Sequence, residues 1–214
     1  MTTLIIARHG NTFDKNDTPT RVGARTDLPL VNKGKEQALA LGRYLKDHDF
    51  IPDAAYCSTL LRTQETAKIA IKECGINLPA YALQIFDEID YGPDENKIED
   101  EVIARIGLQA ISDWDKHAIV PSGWKINPDE VIENWKGFAR QVSSTHDTMT
   151  NNVMDLSETI FVVTSNGIAR FAPHITDDFD SFSSQYDIKL ATGALGILNF
   201  DGEKWSVKDW NIRP

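Results

Sequence analysis

Polar residues able to do chemistry stand just after apolar runs in this chain. Arg8 and His9 close the run Leu4-Ile5-Ile6-Ala7, Arg62 follows Cys57-Ser58, Glu88 follows Tyr81 to Phe86, and Ser165-Asn166-Gly167 follows Thr159 to Thr164. Guanidinium groups present a planar fork of donors that suits phosphate or carboxylate. A histidine beside them is a candidate nucleophile, and Glu88 a candidate proton donor. Helix N-termini near Ser58 and Gly167 would add backbone donors and the positive end of a dipole.

Bringing these groups together requires strands that end on one edge. Leu4 to Ala7 reads as a strand covered on both faces, because such strands lack apolar/polar alternation. A helix is expected from an N-cap at Asn32 to about Phe50, closed by Pro52. Asp53 to Cys57 reads as a strand, and Ser58 or Thr59 as the cap of a helix that ends at Gly75. Tyr81 to Phe86 reads as a third strand and Thr159 to Thr164 as a fourth. Asp187 to Ala191, Leu195 to Phe200 and Lys204 to Trp210 read as further strands, the last two joined by a turn at Asp201-Gly202. Repeated strand–helix alternation predicts an α/β fold of three layers, a mostly parallel sheet with helices on both faces. In such sheets ligands sit beyond the carboxyl ends of the strands, where all of these polar residues fall.

The middle third differs in character. From Asp87 to Glu101 acids crowd the chain and Lys97 is the lone base. Helices are expected over Glu101 to Trp114 and Asp129 to His146, joined by a segment holding Pro121, Gly123 and Pro128. We read residues 94–154 as a helical insertion over the strand C-terminal edge, within one domain spanning 1–214. Trp114, Trp124 and Trp135 are expected to pack this insertion. His48, His117, His146 and His174 read as structural or solvated side chains.

The formal charge of -10 and a pI near 4.9 argue against nucleic acid or an anionic membrane as partner. No apolar run approaches the ~18 residues of a membrane span, and no signal-peptide pattern opens the chain. Cys57 and Cys74 lack metal or redox spacing and read as reduced core residues, so the cytoplasm is the expected compartment. No metal site or cofactor is expected.

Arg8-His9-Gly10-Asn11-Thr12 resembles the R-H-G-x-T/S signature of the histidine phosphatase superfamily, whose fold is phosphoglycerate mutase-like. The similarity continues through Arg21-Val22-Gly23, Thr26-Asp27-Leu28-Pro29-Leu30, Lys33-Gly34, Gln37-Ala38, Tyr56 to Thr63 and Phe86 to Gly92. The resemblance implies that His9 attacks a phosphoryl group and carries it as phosphohistidine. Arg8 and Arg62 would grip the phosphate oxygens, and Glu88 would protonate the leaving oxygen. Thr12, the backbone near Gly23, Ser165 and Asn166 would complete the pocket. A bond from the second ring nitrogen to a backbone carbonyl near Gly10 would fix the His9 tautomer.

One position departs from the family pattern. Ser165 stands where the family carries a second histidine, so a hydroxyl replaces a cationic donor. The expected function is a cofactor-independent phosphatase for a small phosphorylated metabolite, working as a monomer or homodimer. The alternatives are mutase-type phosphoryl transfer and a weakly active or inactive phospho-ligand-binding module. The acidic insertion argues against a substrate with two anionic groups.

Overall fold

The computed structural model describes residues 1–144 and 158–214. Its first strand, β1 (Thr2–Arg8), lies inside the sheet, and Leu4 to Ala7 are wholly buried. The other elements in chain order are α1 (Asn32–Asp47), β2 (Ala54–Cys57), α2 (Leu61–Glu73) and β3 (Ala80–Ala82). Then come α3 (Glu99–His117), α4 (Pro128–Ser144), β4 (Glu158–Thr164), α5 (Asn166–Ala169), α6 (Phe179–Gln185), β5 (Leu195–Phe200) and β6 (Trp205–Ile212). The six strands form one sheet in the order β3-β2-β4-β1-β5-β6. The first four of that order run parallel, while β5 pairs antiparallel with β1, and β6 with β5. The carboxyl ends of β1, β2, β3 and β4 therefore share one edge, as required.

Both faces of the sheet are covered. Ile5, Ala7, Phe161 and Val163 pack on one side with Leu41 and Leu45 of α1 and Ala67, Ala70 and Ile71 of α2. Leu4, Ile6, Ile160 and Val162 pack on the other with Trp135, Phe138 and Val142 of α4 and with Phe171 and Phe182. The helical middle third thus helps to cover one face as well as reaching the C-terminal edge. Cys57 and Cys74 are free and buried. No helix among the described residues is long and apolar enough to cross a membrane.

Several local expectations are corrected. Val31, not Asn32, occupies the N-cap of α1, and the helix ends at Asp47, well before Pro52. The α2 cap is Leu60; Ser58 closes the preceding turn, its Oγ accepting from the Leu60 amide and bonding Thr63 Oγ1. The third strand stops at Ala82, and Gln84–Phe86 turns as a short 3₁₀ segment that buries Phe86 in the core. Residues 187–191 form no strand, because side-chain oxygens take the amides a ladder would use: Asn166 Oδ1 accepts from Leu190, and Asn211 Oδ1 from Ala191. α3 runs longer than expected and is broken at Gly107, whose φ of 82° glycine adopts with little strain. His146 and the expected end of the insertion at residue 154 lie outside the described residues.

Candidate active site

His9 follows the last residue of β1, and its loop is held by both helices of one face. Its amide donates to Thr164 O at 3.0 Å, and its carbonyl accepts from Gly193 at 3.1 Å. The Gly10 amide donates to Thr66 Oγ1 of α2, and the Asn11 amide to Gln37 Oε1 of α1. Gly10 is required here, since a Cβ would overlap the Gly34 backbone at the start of α1. His9 Nδ1 lies 2.7 Å from Gly10 O. A carbonyl only accepts, so Nδ1 carries the proton and the neutral ring keeps its lone pair on Nε2. Burial, then the charges of Arg62 and Arg8, push the His9 pKa well below 6.5, against an opposing pull from the Gly10 bond.

The two expected arginines converge on this ring from different elements. Arg8 Nη1 donates to Leu190 O at 2.8 Å. Arg62, fully buried in the first turn of α2, donates through Nη1 to Thr26 O and through Nη2 to Gly23 O. Burial lowers the pKa of both, yet guanidinium remains charged at any working pH. Each Nε is buried with no hydrogen-bond partner among the described residues.

Glu88 is nearly buried and accepts from the Ile89 amide through Oε1 and from the Gly167 amide through Oε2. Ser165 precedes α5 and is fully buried, its Oγ also without a partner. Asn166 Oδ1 accepts from the Leu190 amide. Gly23 lies behind Arg62 rather than on the open surface: its amide donates to Glu95 Oε1 and its carbonyl receives Arg62.

A cavity of about 970 Å³ opens at this edge, and Arg8, His9, Thr12, Glu88 and Asn166 line it, while Arg62, Gly23 and Ser165 do not. Its wall also includes Arg21, Tyr91, Trp114, Asp115, Arg170 and Lys189, which sequence reasoning did not assign to the site. Arg170 is 1% exposed, its guanidinium carbon 4.0 Å over the Trp114 ring. A charged residue inside the apolar run Ile168 to Ala172 was the available signal. His174 is absent from the wall and stacks on Phe179. No cluster of His, Cys, Asp or Glu suited to a metal ion occurs among the described residues.

Most of the acid-rich run is paired with groups elsewhere in the fold. Asp94 binds Arg105 and the Trp124 indole, Glu99 takes Arg21, Glu101 takes Lys97, and Asp90 takes Arg25 and Lys125. Glu95 accepts from the amides of Gly23, Arg25 and Tyr91. Most of these carboxylates face cations or amides, and of those beyond residue 90 only Glu99 reaches the cavity wall.

The mixed six-stranded sheet with helices on both sides is the phosphoglycerate mutase-like fold of histidine phosphatases, with a solved mycobacterial hydrolase 1 matching at a TM-score of 0.75 and 18% identity over 99% of each chain. The chain belongs to the histidine phosphatase superfamily (branch 1), whose family model matches residues 4–213. It is 26% identical over 212 residues to the uncharacterized phosphatase PhoE of Bacillus subtilis (strain 168), covering 99% of this chain and 95% of that protein. It is 29% identical over 133 residues to the 2,3-bisphosphoglycerate-dependent phosphoglycerate mutase of Clavibacter sepedonicus, covering 62% of this chain and about half, 52%, of the mutase. The chain is an enzyme of this phosphatase and phosphoglycerate mutase-like kind.

Proposed function

We propose that the protein is a phosphatase that hydrolyses a small phosphomonoester through a phosphohistidine on His9. The observation that carries this reading is the fixed tautomer of His9, whose Nδ1 faces Gly10 O at 2.7 Å in a site that holds the ring neutral. In this reading Nε2 attacks phosphorus and the bond to the ester oxygen breaks, with Glu88 donating a proton to that oxygen. Water then attacks phosphorus as the P–Nε2 bond breaks, giving a proton to the Glu88 carboxylate and restoring the neutral His9 ring. Arg8 and Arg62 hold the non-bridging oxygens as charge develops, a role supported by their unpartnered Nε atoms.

Thr12 and Asn166 contact substrate from the cavity wall, and Gly23 acts by aiming Arg62. Ser165 stands in place of the family's second histidine and contributes a hydroxyl, a change that costs on the order of 10²–10³ in rate. The two buried thiols support a reducing compartment such as the cytoplasm.

The test is phosphate release from p-nitrophenyl phosphate, with rapid acid-free quenching to trap phosphohistidine. Slow release is expected, and His9→Ala abolishes both release and trapping. Release that survives His9→Ala overturns the reading. Ser165→His is expected to raise turnover. Inorganic phosphate as product separates hydrolysis from mutase transfer.

A further inference from the structure

The carbonyl that fixes the His9 tautomer belongs to the peptide joining Gly10 and Asn11, and that peptide is trans. A trans peptide is planar, so its C=O and N–H point in opposite directions. The carbonyl of this plane faces His9 Nδ1, and its N–H donates to Gln37 Oε1 at 2.8 Å. One peptide group therefore connects a side chain of α1 to the imidazole.

Gln37 is held in turn at its other end, where Nε2 donates to Thr192 O at 3.1 Å. An amide N–H pairs only with an acceptor and a carbonyl only with a donor, so these two partners fix which way round the carboxamide sits. Its stem packs on Gly193, where an added Cβ would lie 2.8 Å from Gln37 Cβ. The Gly193 amide itself donates to His9 O. These bonds close a ring that runs from His9 through Gly193 and Thr192 to Gln37, and back through Asn11 and Gly10.

The preceding peptide, between His9 and Gly10, has holders of its own: Gly193 at the carbonyl and Thr66 Oγ1 at the amide. Gln37 thus acts on the one plane that carries the tautomer-fixing carbonyl. A hydrogen bond accepted from the N–H of a peptide also polarises its carbonyl, which strengthens the bond from Nδ1. Gln37 is absent from the wall of the cavity that holds Arg8, His9 and Glu88. It lines a second cavity of about 680 Å³, which shares Asn11 and Thr192 with the first. Its influence on a bound substrate therefore passes through the backbone.

Resting on the phosphatase reading, we infer that Gln37 is a positioning residue for the reaction: by holding the Gly10–Asn11 peptide it keeps the proton on Nδ1 of His9 and leaves Nε2 free to attack phosphorus. The two arginines assigned to the phosphate are anchored elsewhere, Arg8 on Leu190 O and Arg62 on Thr26 O and Gly23 O. Loss of the Gln37 amide thus separates attack from phosphate binding.

The test replaces Gln37 by Met, which is close to it in length and helix preference but has neither amide atom. The histidine-labelled full chain is followed by NMR at pH 8, where the His9 ring is neutral, and His9 is assigned by the signal lost in His9→Ala. In Gln37→Met the Nδ1 proton is expected to resonate upfield and exchange with water about fivefold faster, the effect of weakening one hydrogen bond. Single-turnover phosphorylation of His9 by p-nitrophenyl phosphate is expected to slow about fivefold, with the affinity for inorganic phosphate unchanged. Gln37→Glu, which keeps the acceptor, is expected to lie between Met and wild type on both readouts. The same comparison in Gln37→Ala guards against a clash from the Met side chain. An Nδ1 signal that is the same with and without the Gln37 amide overturns the inference. So does a fall in phosphate affinity that matches the fall in rate, which marks general damage to the pocket. If wild-type protein forms no phosphohistidine while Gln37→Met still loosens the Nδ1 proton, the phosphatase reading fails and the hold of Gln37 on the ring stands.

Discussion

Replacing Gly167 by alanine tests whether Glu88 handles the leaving-group proton. The backbone accepts the change, since Gly167 lies within α5 and is not among the positive-φ residues. Alanine favours helix over glycine by about 1 kcal/mol, so the fold is expected to hold. The added Cβ, however, would overlap Glu88 Oε1 and lie 3.0 Å from Glu88 Cδ. Glu88 is 6% exposed and bonded at Oε1 to the Ile89 amide, so it cannot swing into solvent. The carboxylate must retreat by about 1 Å, a misplacement that costs on the order of 10²-fold in rate. That lies at the low end of the ~10²–10⁴-fold a general acid contributes.

The assay compares the single-turnover rate of His9 phosphorylation, a step that precedes water attack, for ethyl phosphate, whose alkoxide leaves only with a proton, and p-nitrophenyl phosphate, whose phenolate leaves without one. Gly167→Ala is expected to lower the first about 10²-fold and the second only slightly. Equal losses on both esters would refute a proton-donor role for Glu88 and indicate general damage to the pocket. An unchanged melting temperature separates that outcome from unfolding.

Three further outcomes follow from the geometry. The His9 ring, followed by NMR of histidine-labelled protein, is expected to titrate well below 6.5, and Arg62→Gln to move it upward; a wild-type midpoint at 6.5 contradicts the site electrostatics. Because the folded value is depressed, His9 contributes stability above pH ~6.5 that is lost as pH falls through its folded value. Cys57 is 1% exposed with its thiol pushed up to about 11, so a disulfide reagent at pH 8 is expected to label it only after unfolding. Burial works to raise the Asp94 pKa, but bonds from Arg105 and Trp124 outweigh it and hold the carboxyl below its ordinary value. Asp94→Asn is therefore expected to cost about 2 kcal/mol in urea unfolding, and no loss would show that this cluster is not structural.

Much of the candidate site was legible in the sequence. A short unbroken apolar run fits a covered strand, and parallel strands end on one edge, so Arg8, His9, Arg62, Glu88 and Asn166 share an address for topological reasons. Local details were less legible where side chains compete with backbone for hydrogen bonds. Ser58 turns the chain before α2 instead of capping it, and Asn166 and Asn211 occupy the amides of 190 and 191 that suggested a strand.

What the sequence by itself determined is the set of strand-end residues and the α/β frame that gathers them, because periodicity and motif order are local properties. Only the tertiary structure decided the charge of the pocket. Arg21 finds Glu99 across 78 residues, Arg25 finds Asp90 across 65, and Arg170 finds the Trp114 carbonyl across 56. A run of acids looks repulsive until distant cations neutralise it, and an arginine at a helix end looks ordinary until packing buries it against an indole ring. Those pairings depend on which elements meet, and no spacing along the chain encodes them.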